Sequence, residues 1–180
     1  MNLPNKLTML RVVLVPIFIA FMMVDALWAK IIGLIIFAIA SLTDLLDGKI
    51  ARSRNLVSTF GKFADPLADK MLTTAAFLIF MQEGIIGVWA VFIILVREFA
   101  VSGIRLLAAA DGKVIAAAFS GKLKTVTQMI AVIVGIVLMC IPTVPYSQLI
   151  TAILVWISVL FTIISGIEYI AKNRKLIQLK

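Results

Sequence analysis

Histidine is absent from this 180-residue chain. Its absence closes imidazole metal sites, phosphohistidine intermediates and histidine general bases together, and with them the paired-histidine, phospholipase-type route to head-group exchange. Cysteine occurs once, as Cys140 in an apolar stretch, so no intrachain disulfide can form and the thiol reads as a small buried apolar residue. Charge is scarce as well, at 14% of residues, and only nine residues are acidic. The remainder is 63% hydrophobic with a mean hydropathy of +1.15, which places the chain in a bilayer. Its length suits a single domain covering residues 1–180.

The net charge of +8 does not imply nucleic acid. The basic residues are spread between apolar segments and are not gathered into a stripe with aromatics. Anionic lipid head groups and phosphorylated substrates are the expected partners.

The expected fold is an all-α integral membrane protein with six transmembrane helices and an N-terminal interfacial segment. Residues 1–11 are too polar for the hydrocarbon core and contain Pro4, so they are placed along the membrane surface. The spans are expected at about 8–24, 28–51, 61–81, 87–109, 121–141 and 147–171, with Thr8 to Arg11 snorkelling at the start of the first. Lys6, Arg11 and the small residues around Asp25 mimic a cleaved signal peptide, but the five apolar segments that follow need an anchored start. Pro66 fits the third span only within its first turn, where a missing N–H costs little. With the N-terminal segment, residues 49–62, residues 105–124 and the tail on one side, fourteen of the seventeen basic residues share that side. By the positive-inside rule both termini face the cytoplasm of a cell-membrane protein.

Four of the nine acidic residues fall in one stretch, residues 44–69. Asp44 and Asp47 are spaced i,i+3, and Asp65 and Asp69 i,i+4, so each pair shares a helical face. The first pair closes the second span and the second pair opens the third, so all four meet at one membrane face. Unneutralised carboxylates crowded near apolar surface would repel one another and draw protons. Divalent cations between them resolve the conflict, and hard oxygen donors without histidine favour Mg²⁺ or Mn²⁺. Gly48 and Gly61 admit close backbone approach to a bulky ligand, Ala51 keeps the second helix thin, and Arg52 offers a fork suited to phosphate oxygens.

These residues spell D-x2-D-G-x2-A-R-x8-G-x3-D-x3-D without a departure: Asp44, Asp47, Gly48, Ala51, Arg52, Gly61, Asp65 and Asp69. The pattern resembles the signature of the CDP-alcohol phosphotransferases, membrane enzymes that join a CDP-linked donor to an alcohol and release CMP. The resemblance implies two metal ions held by Asp44, Asp47, Asp65 and Asp69, with Asp69 also the general base. It further implies that Gly48, Arg52, Ser58 and Gly61 contact the donor. The N-terminal segment from Asn2 to Arg11 is similar to the branch of the family whose acceptor is sn-glycerol 3-phosphate, and by that likeness Asn5 and Thr8 help hold the nucleotide diphosphate. Residues 97–99 (REF), 102–105 (SGIR) and 121–125 (GKLKT) resemble the same branch. The implied substrates are CDP-diacylglycerol and sn-glycerol 3-phosphate, and a homodimer is implied as well.

Charges inside the spans are costly and usually face a cavity or a partner. Arg97 and Glu98 point about 100° apart on one helix and need not pair. Arg97, Arg105, Lys122 and Lys124 are candidates for a basic pocket around the acceptor phosphate, with Lys62 a further one. Lys113 is expected at lipid head groups, and Glu168 pairs with a basic tail residue or serves catalysis. Inositol phosphate, serine, choline and ethanolamine remain alternative acceptors. A divalent-cation transporter is the rival from another class, but it leaves Gly48, Arg52 and Gly61 without a purpose.

Overall fold

Within the described residues, apolar stretches separated by short connections become six helices: α1 Leu3–Met22, α2 Leu27–Ser53, α3 Thr59–Gln82, α4 Val88–Ala110, α5 Phe119–Met139 and α6 Ser147–Lys172. The computed structural model describes the backbone of residues 3–53, 59–110, 119–141 and 143–174, and the side chains of residues 5–43, 67–68, 70–109, 119–141 and 143–174. Among the described residues, three helical segments are long and apolar enough to cross a membrane: Asn5–Met22, Phe119–Met139 and Ser147–Lys172. Shorter apolar stretches run over Leu27–Thr43 and Lys70–Gln82, while Arg97, Glu98 and Arg105 set α4 apart. The expected surface segment is helical from Leu3 and continues without a break into the first apolar stretch.

The distribution of side chains is that of a membrane protein. On α6 the inward face is small and polar, with Thr151, Ser158, Thr162, Ser165 and Gly166 buried, while Trp156, Leu160 and Ile167 are exposed. Small inward residues let helices approach closely where lipid removes the ordinary hydrophobic drive for association. The buried hydroxyls are satisfied within the helix: Thr151 donates to the Ser147 carbonyl at 2.9 Å, Ser158 to Val155 at 2.7 Å and Thr162 to Ser158 at 2.7 Å. None of these groups is left to bear the desolvation of an unmade bond.

The chain divides into two compact units, one of residues 1–82 with 136–145 and the other of residues 83–135 with 146–180. In the first, α1 packs on α2 and α3. Phe18 meets Phe37 with ring centroids 5.7 Å apart, and Met22 fills the space over Gly33, where a Cβ would stand 2.6 Å from its Sδ. In the second, α4 packs on α6, and Val101 and Ile104 pack with Tyr169.

Two expectations are corrected here. Pro66 is not in the first turn of its helix, because α3 begins at Thr59. Proline gives no N–H to the carbonyl four residues earlier, and α3 runs on through that gap. Arg11 and Thr8 do not snorkel, since both are completely buried. They lie on the one face of α1, Asn5, Thr8, Arg11, Val15, Phe18 and Met22, that is turned into the unit.

Candidate active site

The buried face of α1 changes character along its length. It is apolar from Met22 back to Val15 and polar from Arg11 back to Asn5. α2 runs antiparallel to it. The pairs Met22/Gly33 and Phe18/Phe37 set the register, four residues back along α1 matching four residues forward along α2. At the same rise per residue, Arg11 comes level with position 44 and Thr8 with position 47. The buried stripe of α2 among the described side chains is Ala29, Gly33, Phe37 and Ala40. On α3 the buried stripe among the described side chains is Ala68, Leu72, Ala76 and Phe80. Asp47 and Asp65 are equally distant from the connection between α2 and α3. One end of the first unit thus gathers the polar half of α1, the last turns of α2 and the first turns of α3.

Asp44, Asp47, Gly48 and Arg52 lie in α2, and Gly61, Lys62, Asp65 and Asp69 in α3; their side chains lie outside the described residues, as does Ser58 altogether. Asn5 and Thr8 lie on the buried face of α1. Arg11 is the residue that sequence reasoning undervalued. Its signal was available: it follows Asn5 and Thr8 at i,i+3 steps and therefore shares their face.

The basic candidates of the second unit separate into two groups. Arg97 and Lys124 come together through Glu98, whose Oε1 accepts from Arg97 Nη1 at 3.0 Å and from Lys124 Nζ at 2.5 Å. Arg97 and Glu98 pair although their angular separation does not require it, because both side chains are long enough to lean together around the helix, and each also has a partner of its own, Ser165 and Lys124. Arg97 Nη2 also donates to Ser165 Oγ on α6 at 2.5 Å. Arg105 stays out of this network and lies exposed over the Tyr169 ring, 5.7 Å from its centroid. Lys122 is exposed. Glu168 pairs with Lys172 one turn away, the structural outcome foreseen for it. Lys113 lies outside the described residues.

A family model for CDP-alcohol phosphatidyltransferases matches residues 1–164. The chain belongs to this family. It is 44% identical to the CDP-diacylglycerol–glycerol-3-phosphate 3-phosphatidyltransferase of Bacillus subtilis, over 96% of this chain and 95% of that protein. Proteins of the same name from Rickettsia bellii and Rickettsia typhi are 34% and 36% identical, over 97% and 93% of this chain. CDP-alcohol phosphatidyltransferases use divalent metal ions. The donor set suits such ions, being four carboxylates on two antiparallel helices with no competing imidazole or clustered thiol in the chain.

Proposed function

We propose that this protein transfers the phosphatidyl group of CDP-diacylglycerol to sn-glycerol 3-phosphate, giving phosphatidylglycerophosphate and CMP. The observation that carries the reading is the buried polar face of α1, with Asn5, Thr8 and Arg11 level with the acidic stretch of α2. Polar side chains replace apolar ones on this buried face only where it comes level with the acidic stretch, and that is where a polar substrate would need polar contacts in an otherwise apolar protein.

Asp44, Asp47, Asp65 and Asp69 are the residues to hold Mg²⁺ or Mn²⁺, as two ions. When bound, such ions neutralise the pyrophosphate and the departing CMP. Asp69 takes the proton from the 1-hydroxyl of the acceptor as its oxygen forms a bond to the lipid-linked phosphorus. The pyrophosphate bond from that phosphorus to the CMP oxygen breaks and CMP leaves with the bridging oxygen, so a phosphodiester replaces a phosphoanhydride without a covalent enzyme intermediate. Arg52, with the backbone at Gly48 and Gly61 and the hydroxyl of Ser58, holds the donor together with Asn5 and Thr8. Arg97, Arg105, Lys122 and Lys124, with Lys62 a further candidate, supply the positive charge that an anionic acceptor requires.

The protein works in the cell membrane with its termini and its acidic site on the cytoplasmic side, as a homodimer. Purified protein given CDP-diacylglycerol and each candidate alcohol in turn tests the assignment. Phosphatidylglycerophosphate and stoichiometric CMP are expected with sn-glycerol 3-phosphate; a lipid product with serine or inositol phosphate alone overturns the acceptor. Divalent-cation uptake into proteoliposomes without CMP release would mark a transporter instead.

A further inference from the structure

Among the described residues, Arg11 is the largest side chain that is fully buried. Its guanidinium cannot shed its charge by releasing a proton, and a buried cation is strongly destabilising unless opposed by an anion. That anion has to be present whether or not a substrate is bound, so the chain itself supplies it. Few residues can. Within the first unit the acidic residues are Asp25, Asp44, Asp47, Asp65 and Asp69. Asp25 is fully exposed, pairs with Lys30 at 3.5 Å and precedes α2, at the end of that helix away from Arg11. The four that remain are the carboxylates of the acidic stretch.

Register chooses among them. The contacts Met22/Gly33 and Phe18/Phe37, carried along two antiparallel helices of equal rise, bring Arg11 level with position 44. We infer that Arg11 is a positioning residue, whose fork pairs with the Asp44 carboxylate and holds it in place within the acidic stretch. Two parallel N–H···O bonds fix the plane of a carboxylate as well as its place, which an ammonium does not do. The pair has a second use. Four carboxylates that are to hold two divalent ions repel one another before the ions bind, and a fixed buried cation offsets one of the four charges. Arg11 thus acts on the protein's own carboxylate, whereas Asn5 and Thr8 are given to the donor. The pairing stands apart from the reaction proposed above; only its use in metal binding rests on that reading.

Thermal unfolding of the purified protein in detergent with EDTA, which needs neither substrate nor metal, tests the pairing by a double-mutant cycle. Arg11→Met is expected to lower the Tm by roughly 5–10 °C, the loss of one partner of a buried pair. Asp44→Asn should then raise the Tm of Arg11→Met, by removing the charge left unopposed, yet lower that of the wild type, by leaving the arginine unopposed. Asp65→Asn should couple to Arg11 less strongly. Should Arg11→Met alone yield no folded protein, folded protein from the double variant Arg11→Met/Asp44→Asn supports the pair and its absence overturns it. An equal shift by Asp44→Asn in both backgrounds overturns the inference, as does stronger coupling to Asp65. Arg11→Lys, which keeps the charge but loses the fork, should bind Mn²⁺ about tenfold more weakly in a paramagnetic titration, the effect of a lost partner behind a metal ligand; unchanged affinity overturns the positioning role. A raised KM for CDP-diacylglycerol in Arg11→Met with an unchanged Tm in EDTA makes Arg11 a donor contact and overturns the inference too. Coupling in the cycle without any Mn²⁺ binding by the wild type leaves the pair standing and removes the metal from the proposed function.

Discussion

Replacing Asp69 with asparagine keeps the size of the side chain but removes both its charge and its ability to take a proton. CDP-diacylglycerol binding by Asp69→Asn, measured by equilibrium titration, should stay close to wild type while turnover falls by about 10²–10⁴-fold. Full activity would remove Asp69 as the base. Thr8 is proposed to hold the donor. Thr8→Val should raise the donor KM about fivefold, the effect of one hydrogen bond, and leave the acceptor KM alone. At this level the motif residues were legible because their spacing is local: a few residues on one helix determine which carboxylates share a face. Arg11 was harder to read. An arginine near the end of an apolar stretch usually reaches for water, and only the packing of α1 on α2 and α3 turns it inward.

Helix positions followed closely from apolar periodicity, with α4 and α6 within a residue or so of expectation. What periodicity did not carry is the register between helices, which depends on small residues at the contacts. Gly33 is the clearest case. Met22 occupies the volume a side chain would need, its Sδ 2.6 Å from an added Cβ. Gly33→Ala should be tolerated because the thioether is flexible and can move aside. Gly33→Leu should cost about 1–3 kcal/mol by overpacking, seen as a lowered Tm in detergent. It should also lower activity, because forcing α1 from α2 disturbs the level at which Thr8 and Arg11 meet the acidic positions. The pairing of Arg97 with Glu98 was left open by the sequence for a related reason. Angular separation on a helix describes Cβ directions, whereas long side chains are placed by their partners, here Ser165 and Lys124.

Two tests address the molecule as a unit. Chelation of divalent ions with EDTA should abolish turnover without loss of helicity, and Mg²⁺ or Mn²⁺ should restore it; turnover that survives chelation would remove the metal from the mechanism. Cys140 is the single thiol of the chain and lies just beyond α5, so it serves as a native reporter of topology. A membrane-impermeant maleimide should reach it from outside intact cells, given cytoplasmic termini and an alternating path through six helices. Labelling only after lysis would reverse the orientation. Composition and spacing were enough to establish an all-helical membrane protein, the family and the acidic motif, because burial in lipid and helical periodicity are properties of short stretches of chain. The buried polar face of α1 and the grip of α6 on Arg97 came from packing. They join residues far apart along the chain, and no local pattern says which distant helix will supply the glycine that makes room or the serine that holds a charge.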